Sequence, residues 1–171
     1  MNLLFEHTDN ILIKLSPILD ISAALNELKF VKEIHTVAVD NEVKELLFIL
    51  EKGYGHAPKL IAVNIHKGKT EKLEAAAMSP AKAHYGLPKT YLYEPNAAIL
   101  KTGLFNEVSL VYKIDKLHTN SHLYTSEELV GFPGRTFKII AYFCSRQEKT
   151  ACPDPFKESK YHNQKFPVFS C

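Results

Sequence analysis

Short apolar runs separated by turn residues organise the first seventy residues of the chain. Ile11–Leu15, Glu33–Val39 and Lys59–His66 are β-branched or mostly apolar, which predicts three buried strands. Pro17 follows the first run and prevents it from continuing as a central strand. The first part of the chain is therefore predicted to contribute three strands to one sheet.

Two helices are predicted between these strands. Ser22 can cap a helix whose apolar positions recur at a spacing near 3.6. Asp40 and Asn41 interrupt the second strand, and residues 42–52, "EVKELLFILEK", then read as a helix with acids in its first turn that ends at Gly53. Strand, helix, strand, helix, strand is the order typical of an α/β sheet, and the few strands suggest one edge of a larger doubly wound domain.

The pattern is less regular after residue 69. Residues 70–88 are polar and rich in alanine, which predicts a connector with some helix. Tyr93–Gly103 predicts a turn, a short helix and a glycine C-cap. The pattern over 107–115 leaves strand and helix open, 120–129 predicts a turn leading into a helical turn, and 131–143 predicts a strand.

Composition changes this picture little. The 171 residues carry a net charge of +2, so charge alone does not indicate a nucleic-acid partner. All three cysteines follow residue 143, which favours a reducing cytoplasm over a disulfide scaffold. The N-terminal segment lacks the basic region of a signal peptide, and no apolar run approaches the roughly 20 residues that span a bilayer. A soluble cytoplasmic protein without a membrane partner is expected.

No catalytic motif stands out. The sequence has no glycine-rich phosphate loop, no H-E-x-x-H, no CxxC and no G-x-S-x-G. The histidines are scattered without ligand spacing, and Cys144 and Cys152 form a poor zinc half-site. No metal site is therefore predicted.

Four segments nevertheless resemble one family in the same order along the chain: "IKLSPILD", "DNEVKELL", "YEPNAAILKTG" and "NSHLYTS" followed by "FPGR". They are similar to motifs of bacterial class I S-adenosylmethionine-dependent methyltransferases that carry a ferredoxin-like piece and a C-terminal THUMP-like domain. The resemblance covers Ile11 to about Tyr142. The departures from the family pattern are Ile18 for Met, Val43 for Cys, Thr102 for Ala and Ser121 for Thr.

The resemblance implies an α/β fold, with the last strands of a Rossmann-like methyltransferase sheet followed by a small α+β ferredoxin-like and THUMP-like region. It divides the chain into a methyltransferase part (1–70), a connector and ferredoxin-like piece (71–125), and a truncated THUMP-like domain (126–171). The family's glycine-rich loop and its Asp-Pro-x-Arg-Arg-like motif precede everything present here. The expectation is a C-terminal fragment of an RNA-directed methyltransferase that binds no S-adenosylmethionine and transfers no methyl group alone. Whether the chain is itself an enzyme stays open, and the alternative is a non-catalytic RNA-binding or inert fragment.

Two sets of site residues are candidates. Ser16, Pro17 and Asp20 follow a strand end, where α/β enzymes place ligand loops, and Asn41 and Glu42 lie at the same edge. Together they form a possible rim of the cofactor pocket. The alternatives are a tight turn and helix start for the first three, a helix cap for Asn41 and a helix-dipole partner for Glu42.

The second set concerns RNA, which the THUMP-like label implies as partner. Lys101 and Arg135 can engage phosphates, whereas His122 and Tyr124 can stack on an unpaired base. The alternatives are a packed aromatic for Tyr124 and a turn residue for Arg135.

The C-terminal tail, from about residue 144, departs from the family. Codons for residues 157–171, shifted by one nucleotide, become compatible with KKANITIRNFPFSV, which resembles the ending of the family's THUMP-like domain. We therefore expect a frameshift near Phe143–Ser145 and an aberrant tail. Sequencing the parent DNA tests this hypothesis.

Overall fold

The computed structural model describes residues 3–77 and 80–141. After a short 3-10 helix at Leu4–Glu6, the elements are β1 Asn10–Leu15, α1 Ile21–Glu27, β2 Val31–Val39, β3 Glu42–Glu51, β4 Lys59–His66, β5 Lys69–Ala76, β6 Tyr91–Pro95, α2 Ala97–Thr102, α3 Phe105–Tyr112, β7 Asp115–Lys116, β8 Tyr124–Ser126 and β9 Gly134–Lys138. The expected frameshift and the three cysteines lie outside the described residues.

The first sheet has five strands in the order β1-β3-β2-β4-β5. β2 and β4 are parallel, whereas β3 is antiparallel to both β1 and β2, and β5 is antiparallel to β4. β1, β2 and β4 therefore run in one direction and are the three strands that the apolar runs predict. The prediction of a mixed α/β fold is confirmed.

The helix predicted over residues 42–52 is wrong, because this segment is strand β3. Asp40 and Asn41 adopt left-handed backbone with φ of 50° and 64°, and two such residues make the tight turn that joins the strands of a hairpin. Leu46, Phe48 and Leu50 are 0% exposed and alternate with less buried neighbours. The segment thus buries every second residue, and packing against β1 and β2 overrides its helix-forming composition.

Two further local predictions need correction. The polar stretch after residue 69 begins with strand β5 instead of a helical connector, because Lys67 and Gly68 form a second turn of positive φ that folds it back on β4. Helix α1 is capped by Asp20, whose carboxylate accepts a hydrogen bond from Ala23 N at 2.8 Å, and not by Ser22.

The second sheet has four strands in the order β7-β8-β6-β9, with antiparallel pairing throughout. The predicted turn and short helix at α2 are confirmed: Asn96 Oδ1 accepts from Ile99 N at 3.1 Å, and Gly103 follows with φ of 74°. For residues 107–115, where strand and helix were both open, the structure has helix α3 up to Tyr112. The strand predicted over 131–143 is confirmed by β9. The helical turn predicted over 120–129 is wrong, because β8 lies there and pairs with β6.

The predicted division of the chain at 70/71 and 125/126 stays a prediction. β9, which follows the second of these positions, pairs with β6, which precedes it.

One face of the first sheet carries the core. Ile34 lies between Phe48 and Leu60 in neighbouring strands, and all three side chains are buried. Helix α2 packs on the strands of this sheet and brings Ala98 and Ile99 into the same core. The two sheets therefore share one hydrophobic core. Within residues 3–77 and 80–141, no helix is long and apolar enough to cross a membrane.

Candidate functional site

The residues predicted at the pocket rim follow β1 and β2, whose C-terminal ends lie at the same end of the first sheet. After β1, Ser16 Oγ accepts from Ile18 N at 3.4 Å, and Pro17 lies inside this turn. Asp20 caps α1. The polar groups of this loop are thus engaged in a tight turn and helix start.

Asn41 and Glu42 differ in their surroundings. Glu42 is exposed and pairs with Lys44 at 2.7 Å. Because it begins a strand, the alternative of a helix-dipole partner is wrong for this residue. Asn41 instead contacts two other parts of the chain: its backbone N donates to Asn64 Oδ1 at 3.1 Å, and its Oδ1 accepts from Ala97 N at 2.7 Å. The alternative of a cap for the helix predicted after Asn41 is wrong, because that segment is strand β3. Asn41 instead accepts from the first backbone N–H of α2, a helix whose N-cap is Asn96.

These contacts belong to a cluster that we call the polar junction, formed by Asn41, Asn64, Glu71 and Asn96. Glu71 Oε2 accepts from Asn64 Nδ2 at 3.0 Å and from Asn96 Nδ2 at 2.8 Å. Asn64 is 4% exposed and Asn96 is 3% exposed. The polar junction links the β2–β3 turn, β4 and β5 to the start of α2, and so holds the second sheet against the first.

Sequence reasoning missed Asn64 and Glu71 and assigned Asn96 only to a turn. A signal was present: Asn64 interrupts the apolar strand β4 on its buried face, and a buried amide requires hydrogen-bond partners. Chemically, the polar junction is a satisfied network. Among the residues the structure describes, no group of three or more His, Cys, Asp or Glu side chains could hold a metal.

Two of the RNA candidates, His122 and Tyr124, contact Phe105 at the start of helix α3. The His122 ring stacks on Phe105 with centroids 3.8 Å apart and an interplanar angle of 21°. Lys116 Nζ lies 5.6 Å from the centroid of the Phe105 ring and donates to Thr119 O at 2.8 Å. Partial burial, together with the charge of Lys116, lowers the pKa of His122. Much of the His122 side chain still faces solvent, so it offers a flat ring. Because its pKa lies below the ordinary 6.5, that ring is predominantly neutral near pH 7.

The other three candidates do not join His122 in one exposed surface. Tyr124 is 0% exposed and donates from its hydroxyl to Phe105 O at 2.6 Å; burial raises the pKa of this phenol. Its ring is packed, as the alternative states. Arg135 pairs with Glu94 at 2.6 Å, and Lys101 lies in the last turn of α2. Phe105, which contacts both His122 and Tyr124, is a residue that sequence reasoning missed.

Comparisons with known proteins bear on both halves of the structure. Residues 91–133 match the model of a ferredoxin-like domain. The chain is also similar to a solved protein from Porphyromonas gingivalis W83 that is named a "putative methyltransferase". The two share 37% sequence identity with a TM-score of 0.69 over 76% of this chain. This chain spans only 34% of the solved protein. No curated protein matches the sequence.

Proposed function

We propose that this chain is part of an S-adenosylmethionine-dependent methyltransferase that acts on RNA in the cytoplasm. The observation that carries the methyltransferase assignment is the 37% identity to the Porphyromonas protein at a TM-score of 0.69. In this proposal β1–β5 belong to the sheet of the catalytic domain. The ferredoxin-like segment and the strands after it, which include part of the predicted THUMP-like region, contact RNA.

The residues of the predicted rim do not form a cradle for the methyl donor. The side chains of Asp20 and Asn41 each accept a hydrogen bond from a backbone amide of this chain. Ser16 Oγ likewise accepts a hydrogen bond within its own turn. The sequence also lacks the glycine-rich turn that lets a backbone approach a nucleotide cofactor. We therefore propose that the isolated chain binds no S-adenosylmethionine, which supplies the methyl group in such enzymes.

The RNA assignment rests on the exposed imidazole of His122. Unpaired bases of RNA stack on aromatic side chains, and a neutral ring that already lies flat on Phe105 loses little conformational freedom when a base covers it. The cation of Lys116, 5.6 Å from the centroid of the Phe105 ring, adds positive charge next to this stacked pair. Lys101 and Arg135 remain proposed phosphate contacts.

Binding of single-stranded RNA by the full chain tests this part of the proposal. Fluorescence anisotropy with a labelled oligonucleotide should show His122→Ala weakening binding by about tenfold, the size expected when one stacked base loses its partner. His118→Ala is the matched control, because it removes a histidine of the neighbouring loop that no ring stacks on among the described residues. If the chain binds no RNA, or if His122→Ala and His118→Ala bind equally, the RNA assignment is wrong.

Donor binding is tested separately by isothermal titration of S-adenosylmethionine into the same chain. We expect no heat of binding up to millimolar donor. Saturable binding at micromolar donor would contradict the proposal that the isolated chain lacks a donor site.

A further inference from the structure

Tyr85 presents an aromatic ring to solvent from a backbone that is held in place. It forms a bridge with Lys116 of β7, where Lys116 N donates to His84 O at 2.7 Å and Gly86 N donates to Lys116 O at 3.2 Å. Tyr85 is 51% exposed. Within the described part of the chain, no ring stacks on it and its phenol forms no hydrogen bond. The ring is therefore free to take a ligand, and little backbone freedom is lost when it does.

The strand register places Tyr85 on the same face of the second sheet as two other side chains. Lys116 pairs with Tyr85 on one side and with Tyr124 of β8 on the other, and residues opposite each other in neighbouring strands point to the same face. The two phenols are near enough to interact, because the pKa of Tyr124 is raised by burial first and then by Glu107 and Tyr85. The Tyr124 hydroxyl donates to the backbone at the start of α3, so Tyr85 lies beside that end of the helix.

Lys116 connects the Tyr85 ring to the stacked pair of His122 and Phe105. It is 3% exposed, and its ammonium lies 5.6 Å from the centroid of the Phe105 ring. Its charge, after burial, contributes to the lowered pKa of His122. A buried ammonium usually has a carboxylate partner, but the only hydrogen-bond acceptor of Lys116 Nζ among the described residues is Thr119 O at 2.8 Å. The described part of the chain therefore leaves this positive charge without a counter-charge.

We infer that Tyr85 and His122 each stack on one of two neighbouring unpaired RNA bases, and that the charge of Lys116 attracts the phosphate between them. This inference rests on the proposed function, to which it adds a second base, a second stacking residue and the source of the charge. Aromatic rings stack on any unpaired base, so the site takes single-stranded RNA without selecting the base. Because Lys116 is buried, it acts on the phosphate through space and not through a direct hydrogen bond.

Fluorescence anisotropy of a labelled single-stranded RNA with the full chain tests the two stacking rings. Tyr85→Ala should weaken binding about tenfold, as the loss of one stacked base does, whereas Tyr85→Phe keeps the ring and should bind within about twofold of the wild type. Combining Tyr85→Ala with His122→Ala should weaken binding about 100-fold, because losses at two separate bases add in free energy. Tyr54→Ala removes a partly exposed tyrosine of the β3–β4 loop and should leave binding unchanged.

Salt separates the charge of Lys116 from a purely structural role. Lys116→Met keeps the length of the buried side chain and removes its charge. It should weaken binding about fivefold in about 50 mM salt and less than about twofold in about 300 mM salt, because salt screens the attraction to phosphate. An equal loss at both salt concentrations would overturn the role assigned to Lys116.

Other outcomes overturn the two-base site itself. Tyr85→Ala that binds RNA as tightly as the wild type would remove Tyr85 from the site, and loss of self-association by that variant would assign its ring to a protein contact. A double variant no weaker than His122→Ala alone would mean that both rings serve one base. In each of these cases a loss of binding by His122→Ala leaves the proposed function intact, whereas a wild-type chain that binds no RNA contradicts both.

Discussion

Asn96 donates a hydrogen bond from its side chain to Glu71 Oε2 at 2.8 Å, and this bond ties the first helix after β6 to edge strand β5. The same asparagine caps α2 through Ile99 N. One buried residue therefore both starts a helix and joins two sheets.

Replacing Asn96 with Ala should lower the free energy of unfolding by about 2–3 kcal/mol. The change removes a helix cap and leaves the carboxylate of Glu71 with one fewer donor. Urea unfolding of the full chain measures the effect. Asn120→Ala, in an exposed loop, is the control and should change stability by less than about 0.5 kcal/mol. Equal effects of the two substitutions would show that the polar junction does not hold the sheets together.

Thr36 is 0% exposed, and its hydroxyl is the one buried side-chain oxygen or nitrogen without a hydrogen-bond partner in the part of the chain that the structure describes. Thr36→Val keeps the shape and removes the unpaired hydroxyl, so it should stabilise the protein by about 1 kcal/mol.

Thr125→Val is the matched comparison for that prediction. Thr125 is equally buried, but its hydroxyl donates to Tyr91 O at 2.8 Å and accepts from Lys89 N at 2.8 Å. The valine should therefore destabilise the protein by about 1–3 kcal/mol. If both substitutions lower the thermal midpoint by the same amount, the Thr36 hydroxyl stabilises the folded protein and the prediction for Thr36→Val is wrong.

Gly134 begins β9 with φ of 148°, and a Cβ there would lie 2.2 Å from Glu94 O and 2.8 Å from Asn96 N. Both atoms belong to the backbone of the segment that leads into α2, so neither can shift unless the backbone of that segment shifts with it. Gly134→Ala should cost about 3 kcal/mol or more. Gly55→Ala, where a Cβ meets no atom within 4 Å, should cost far less. A fully stable Gly134→Ala protein would mean that β9 does not approach β6 as described.

Glu74 lies on the outer face of the first sheet with Lys59 Nζ at 2.7 Å and Lys72 Nζ at 2.6 Å. Hydrogen bonds from these two lysines lower the pKa of Glu74 from 4.5 to about 2. Because the folded-state pKa is depressed, the stabilisation is present above pH 4.5 and is lost as the pH falls towards 2. The group is exposed, so the effect is small and is screened by salt.

The measurement compares the wild type with Glu74→Gln by urea unfolding at pH 6 and at pH 2.5 in low salt. The wild type should have the higher midpoint at pH 6, and the difference should shrink at pH 2.5. A difference that does not change with pH would show that the charge of Glu74 contributes nothing to stability.

The sequence predicts those elements whose signals are local. β1, β2 and β4 carry the runs that are β-branched or mostly apolar, and α2 has its cap and its C-terminal glycine within eight residues of one another. β3 was missed because Glu, Lys and Leu form helices readily and only its hairpin with β2 fixes a period of two. The Asp40-Asn41 pair, which favours a turn of positive φ, was the available sign of that hairpin.

The polar junction lies beyond the reach of such local signals. Asn41 and Ala97 are 56 positions apart in the chain, and their contact depends on how α2 packs against the first sheet. The loop after β1 is the opposite case, because its local signal misleads. Its position after a strand predicts a ligand loop, but Ser16 Oγ accepts a hydrogen bond within the turn and the Asp20 carboxylate caps α1.

The most direct test of the account is methyl transfer by a chimera, in which this chain replaces the matched segment of the Porphyromonas protein. Labelled S-adenosylmethionine and a mixed RNA pool are incubated with the chimera and with the Porphyromonas protein itself. The account predicts that both label RNA, at rates within about tenfold of each other, and that His122→Ala lowers labelling by the chimera. A folded chimera that labels no RNA while the Porphyromonas protein does, or failure of both to label RNA, would contradict it.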